Sequence, residues 1–320
     1  MNVIGHSQNL EKLQSALQSS MRSFIFCGPD GVGKHQVARH VARMFNCQNV
    51  VDDLSKINKS CDCIFCSRFK HGYTEGIRDF QLSLKSQRAI DFIRTEILGR
   101  LGERVPDVRR YFVILNDYQW LSSRAEDLLL KPLEEIRETT FILITNQLEK
   151  ARRTIKSRSI IFRFQTLSNS ELFEIVTPPA SFDEDVIQRV YTCAEGSAGK
   201  VQRYFDPKVI SLYDSIAFPS RGEQKKFSDI LKELREEESG ELKYTKVSFI
   251  LDMWKLFLFE RVLEGIYDKK YFYAYEKKVK RLSQSINLLR EDKGSWFVID
   301  VFIRFWFLFL TSYAEKSSIN

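Results

Sequence analysis

Apolar positions in the first half of the chain fall into two alternating kinds of run. FIFC (24–27), FQLSL (80–84), YFVIL (111–115), FILIT (141–145) and SIIFRF (159–164) are short and nearly continuous. That pattern predicts strands buried on both faces. Between them, Val37, Ala38, Val41, Ala42 and Phe45 recur at helical spacing over 34–47. RAIDFIRTEIL (88–98) and AEDLLLKPLEEI (125–136) predict further helices. Strand and helix in alternation imply an α/β domain, a parallel sheet with helices on both faces.

After about residue 165 the strand signal stops. LSNSELFEIV (167–176) and DEDVIQRVYTCAEG (183–196) predict two helices of a small module, separated by Pro178 and Pro179. From Asp206 and Pro207 onward the chain reads as all-α. Val247, Ile250, Leu251, Trp254, Phe257, Leu258 and Val262 form one broad apolar face. The run 221–244 is rich in Lys and Glu and predicts a solvated helix or linker. SWFVIDVFIRFWFLFLTSY (295–313) is almost long enough to span a bilayer. Asp300 and Arg304 oppose that, at roughly 2.5–3.5 kcal/mol each near a bilayer centre. Spaced i and i+4, they pair on a helix that is buried or faces a partner, so no membrane association is expected.

The 320 residues leave room for two or three domains. A net charge of +7 permits work beside nucleic acid without requiring it. The N-terminus lacks the basic and apolar regions of a secretory signal. Four of the six Cys fall within 47–66, a clustering that favours metal over disulfides in an intracellular setting.

The first strand runs into GPDGVGKH. Gly28, Gly31, Gly33 and Lys34 fit a phosphate-binding loop, G-x-x-x-x-G-K, followed by a helix. The next position needs Ser or Thr to ligate Mg²⁺ and holds His35. The strand 111–115 ends in Asn116 and Asp117, where a carboxylate is needed to hold the metal. Asn brings no charge to Mg²⁺. Two weakened metal contacts predict a nucleotide site that keeps its cradle and loses hydrolysis.

LLLKPLEEIRETTFILITN (128–146) resembles the LLK-x-LEEP and FIL-x-TN signature of AAA+ clamp-loader ATPases. TIKSRSIIFRF (154–164) resembles their Ser-Arg-Cys element, IGHSQNLEKLQSAL (4–17) their start, and EGSAGKV (195–201) their lid. The likeness covers about residues 3–205 and is nearest to the delta-prime subunits of bacterial DNA polymerase III. It implies an AAA+ domain over 1–165 with a Cys-rich insertion at 47–66, a helical lid over 166–206, and a helical collar over 207–320.

The resemblance further implies a subunit that loads the sliding clamp onto primed DNA in the bacterial cytoplasm. Other loader subunits would be its partners through the collar, and DNA contact could be indirect. Arg158, in Ser157-Arg158-Ser159, would be an arginine finger acting in trans on a neighbour's ATP and Mg²⁺. Asn146 stands at the family's water-orienting strand end, and Lys200 lies near its second sensor. Cys47, Cys61, Cys63 and Cys66 resemble the family's four-thiolate module for structural Zn²⁺. The Cys61-x-Cys63 step is one residue shorter than the family's, and His71 is an alternative ligand. An ATP-hydrolysing motor subunit of gamma or tau type, with Lys34 and Asp117 sufficient, is the alternative, and an unrelated P-loop protein a more distant one.

Overall fold

A computed structural model of the chain describes residues 3–49, 54, 60–73, 76–82, 90, 93–100, 108–136, 138–180, 182–210, 212, 245–250, 252–253 and 256. The readings at 221–244 and 295–313, and most of the collar, lie outside the described residues. The chain divides into two compact units. One comprises Met1–Ile175 with Gly196–Gly199, the other Val176–Glu195 with Lys200–Asn320.

In the first unit five strands form one parallel sheet: β1 (Ser23–Cys27), β2 (Ile77–Gln81), β3 (Tyr111–Asn116), β4 (Thr139–Thr145) and β5 (Ile160–Arg163). Their order is β2-β3-β4-β1-β5. The helices of this unit are α1 (Ser7–Gln18), α2 (Lys34–Asn46), α3 (Ile64–Lys70), α4 (Ser123–Glu135), α5 (Arg153–Lys156) and α6 (Asn169–Ile175).

Alternation along each strand explains why the runs are continuously apolar. Phe24 and Phe26 of β1, Phe112 and Ile114 of β3, and Ile142 and Ile144 of β4 pack with Val37, Ala38 and Val41 of α2. The intervening Ile25, Val113, Leu115, Phe141 and Leu143 pack with Leu129 and Leu133 of α4 and Ile155 of α5. Both faces are covered, and each fully buried large side chain contributes about 1.5–3 kcal/mol. Strand direction then gathers the C-terminal ends of β1 and β3 on one edge, where the loop lies.

Two expectations need correction. The second strand is Ile77–Gln81, not 80–84. Arg78 and Asp79 interrupt its apolar run, which an edge strand tolerates, and the register Ile77↔Phe112 to Gln81↔Asn116 fixes it. Within the expected helix 88–98, Ile90 is helical, and the described backbone continues as a π turn over Ile93–Ile97 and a 3₁₀ turn over Leu98–Arg100. A side chain on Gly99 would sit 3.2 Å from the Arg94 carbonyl oxygen, so glycine admits the wide turn. Ile93 and Ile97 still reach the core.

The second unit contains α7 (Glu184–Ala194), most of α8 (Ala198–Tyr204), α9 (Pro207–Ile210) and a helical stretch at 245–250. Val190, Tyr191, Val201, Tyr204, Phe249 and Ile250 are buried. The Lys200 ammonium pairs with Asp252 at 2.6 Å, and both are buried. Among the described residues no helix is long and apolar enough to cross a membrane.

Candidate functional site

The loop between β1 and α2 is shaped by close approach. The Gly28 N–H donates to the Thr145 carbonyl at 3.3 Å, and a Cβ at Gly28 would fall 2.2 Å from the Phe164 carbonyl oxygen. Gly31 accepts from the Gly199 N–H at 2.9 Å, with the Ser197 hydroxyl against its Cα. Gly33 caps α2 with left-handed backbone, so the amides of the first helical turn point into the loop. Lys34 is buried and donates to the carbonyls of Gly28, at 2.8 Å, and Pro29. The structure brings Gly28, Gly31, Gly33 and Lys34 together in one loop between β1 and α2.

His35, Asn116 and Asp117 are engaged by other side chains of the same chain. His35 Nε2 bonds both carboxylate oxygens of Asp79 on β2, each at 2.8 Å, and Arg39 stands 3.7 Å from the same carboxylate. Asn116 Nδ2 donates to Gln81 Oε1 at 2.6 Å, its register partner on β2. Asp117, in left-handed backbone, accepts from Gln81 and from Gln119, the latter at 3.0 Å. Gln119 in turn accepts from Thr145 Oγ1 at 2.8 Å. His35, Asn116 and Asp117 are thus bonded to the side chains of Asp79, Gln81 and Gln119. Asp79 and Gln81 were not among the sequence candidates; Asp79, a carboxylate inside a strand, was the available signal.

Asn146 follows β4. Its Oδ1 is buried with no hydrogen-bond partner among the described residues. The strand end is capped instead by Thr145 Oγ1, which accepts the Gln147 N–H at 3.0 Å. Lys200, in the second unit, is bonded to Asp252, whose carboxylate also accepts from the Tyr204 hydroxyl.

Arg158 lies between α5 and β5, about one-third exposed. Its Nε donates to Glu134 Oε1 of α4 at 2.5 Å and its Nη1 to the Thr154 carbonyl at 2.9 Å. Ser159 is buried and shares a 2.6 Å hydroxyl–hydroxyl bond with Ser23 at the start of β1.

The four cysteines come together. Cys47 follows α2, Cys61 and Cys63 precede α3, and Cys66 lies in it; one ligand atom from each falls within 4.8 Å of the others. The Cys47–Cys61 and Cys47–Cys63 sulfur separations are 3.6 and 4.0 Å. A tetrahedron with roughly 2.3 Å zinc–sulfur bonds has edges of about 3.8 Å, so the donor set fits Zn²⁺. The Cys63 N–H points at Cys61 Sγ and the Cys66 N–H at Cys63 Sγ, both at 3.5 Å, and both favour thiolate. Burial raises the Cys63 thiol, but the Cys66 and Gln48 amides bring it down to about 7. Burial pushes the Cys66 thiol well up, opposed by Arg43 Nη1 at 3.6 Å. His71 lies outside this group and turns Nδ1 to the Ser67 carbonyl at 2.8 Å.

A family model described as DNA polymerase III, delta subunit, matches residues 5–168. The DNA polymerase III subunit gamma of Buchnera aphidicola subsp. Schizaphis graminum is 28% identical over 183 residues, 55% of this chain and 48% of that one. Subunit tau of Bacillus subtilis is 27% identical over 175 residues, 53% of this chain and 30% of its own length. The replication factor C small subunit of Aeropyrum pernix is 26% identical over 209 residues, 62% and 56% of the two chains. The chain thus spans from under a third to a little over half of these relatives' lengths. The solved gamma subunit-related protein of Thermotoga maritima superposes at a TM-score of 0.42, with 17% identity over 92% of this chain and 83% of that one. With the match over more than half its length, on a phosphate-binding loop in a five-stranded parallel sheet, the chain belongs to the DNA polymerase III, delta subunit family, within the AAA+ clamp loaders.

Proposed function

We propose that this protein is a delta-prime-type subunit of the DNA polymerase III clamp loader. It assembles with other loader subunits, helps place the sliding clamp on primed DNA, turns over little or no ATP itself, and supplies Arg158 to a neighbour's ATP. The observation that carries the reading is the direction of the sheet. β1 and β5 run parallel, with Phe24 opposite Ile160 and Cys27 opposite Arg163. The loop leaves the C-terminal end of β1, while Arg158 enters the N-terminal end of β5. About six residues of rise, roughly 20 Å, separate the two levels. Arg158 thus lies far from the loop of its own chain, which supports a guanidinium that stabilises spreading phosphate charge on a neighbour.

The pairing of His35 with Asp79 and of Asn116 with Gln81 supports a catalytically silent loop. When bound in a neighbour, Mg²⁺ would neutralise charge on the transferred phosphate. In this chain Cys47, Cys61, Cys63 and Cys66 would hold a structural Zn²⁺ that fixes the segment between α2 and α3. The protein would work in the bacterial cytoplasm, and DNA would be held mainly through other subunits.

A motor subunit of gamma or tau type is the second reading, favoured by the intact cradle around Lys34. ATP hydrolysis by the reconstituted loader decides between them. Arg158→Ala should depress it and Lys34→Ala should leave it unchanged. The reverse result would overturn the proposal.

A further inference from the structure

The guanidinium of Arg158 is oriented by its own chain. Its Nε edge is taken by Glu134, two turns along α4 from Asp127, and one Nη1 proton by the Thr154 carbonyl. Both Nη2 protons lack a partner among the described residues. Backbone freedom on either side is small. Arg152, which caps α5, bonds Asp127, and Ser159 is tied to Ser23. Glu126 anchors the start of α4 from below, accepting from the buried Tyr118 hydroxyl. Helix α4 thus grips the Arg158 segment at two points. The neighbouring Glu135 is committed elsewhere, 3.8 Å from Lys131.

We propose that Glu134 is a positioning residue for Arg158, fixing the guanidinium so that Nη2 is presented to the phosphate chain of a nucleotide held by the adjacent subunit. The inference rests on the reading of Arg158 as a finger. Arginine carries about 2 kcal/mol of rotamer entropy, and a side chain held beforehand loses less of it when it engages. Glu134 is half exposed, so water screens its charge and it orients Arg158 without cancelling the field at Nη2.

The test uses the loader reconstituted with its partner subunits, clamp and primed DNA, comparing wild type with Arg158→Ala, Glu134→Ala and Glu134→Gln. Arg158→Ala defines the Arg158-dependent part of kcat. Glu134→Ala should lower that part roughly tenfold, the size of one charge-assisted hydrogen bond, and leave KM for ATP unchanged. Glu134→Gln should retain most activity, because its amide oxygen still accepts from Nε. If Glu134→Ala fails to assemble, Glu134→Asp, one methylene shorter, should show an intermediate loss at unchanged KM. Wild-type or raised activity of either shortened variant, in a loader that Arg158→Ala impairs, would overturn the positioning role. A silent Arg158→Ala would instead remove the finger reading beneath it.

Discussion

The His35 imidazole lies 2.8 Å from each carboxylate oxygen of Asp79, bridging the start of α2 to the edge strand β2. A hydroxyl at this position would face the metal; the imidazole faces protein instead. The isolated chain should accordingly bind ATP no more tightly with Mg²⁺ than with a chelator. Calorimetric titration under both conditions checks this, and tight binding only with Mg²⁺ would contradict the reading of His35 and Asn116.

The sulfur cluster predicts about one zinc per chain after chelator-free reducing purification. Cys66→Ser should abolish it and lower the thermal midpoint, because metal binding free energy is folding free energy. Without metal, Cys63 should be the first of the four thiols alkylated as pH rises through about 7. Mass-spectrometric mapping after brief iodoacetamide treatment reads this out; uniform labelling would count against it.

Helix α6 starts with a reciprocal cap. The Ser168 N–H donates to Glu171 Oε2 at 2.7 Å, and the Glu171 N–H to Ser168 Oγ at 3.3 Å. The Ser168 N–H, and the Ser168 hydroxyl that also donates to Glu171 Oε2 at 2.7 Å, hold the Glu171 carboxyl below its usual range. Its contribution is therefore present above the ordinary glutamate value, about 4.3, and disappears as pH falls through the lower folded-state value. Glu171→Gln should cost about 0.5–1 kcal/mol at neutral pH. The gap should close toward pH 3, as thermal unfolding at both pH values would show.

Gly28→Ala should destabilise the first unit more than Gly33→Ala. Both backbones have positive φ, at 150° and 98°. A methyl at Gly28 meets the Phe164 carbonyl, whereas one at Gly33 meets nothing within 4 Å. The conformational cost alone is about 1–2 kcal/mol, and only Gly28→Ala adds a backbone clash. Chemical denaturation of the two variants should rank them in that order; equal losses would show that the Phe164 contact relaxes freely.

Strands buried on both faces were legible because nothing polar interrupts them. β2 was displaced in the reading because Arg78 and Asp79 break its apolar signal. The glycine loop could be read from spacing, and the four sulfurs from their clustering and a family resemblance, although Cys47 and Cys61 meet across 14 positions. The pairs that decide their chemistry could not. His35–Asp79 spans 44 positions and Arg158–Glu134 spans 24, distances that only the packing of helices on the sheet brings to contact. Glu134 and Arg158 were each visible as parts of motifs, and their pairing was not.

The bond between Ser23 and Ser159 joins hydroxyls 136 positions apart. A change at Ser23, at the end of β1 away from the glycine loop, would loosen the backbone next to Arg158. Variants at these two positions should compensate for one another: a small apolar residue at both should be tolerated better than at either alone, because no lone hydroxyl is left buried. Natural sequences that alter one should therefore tend to alter the other, and a survey looking only near the loop would miss a residue that tunes the far end of the sheet.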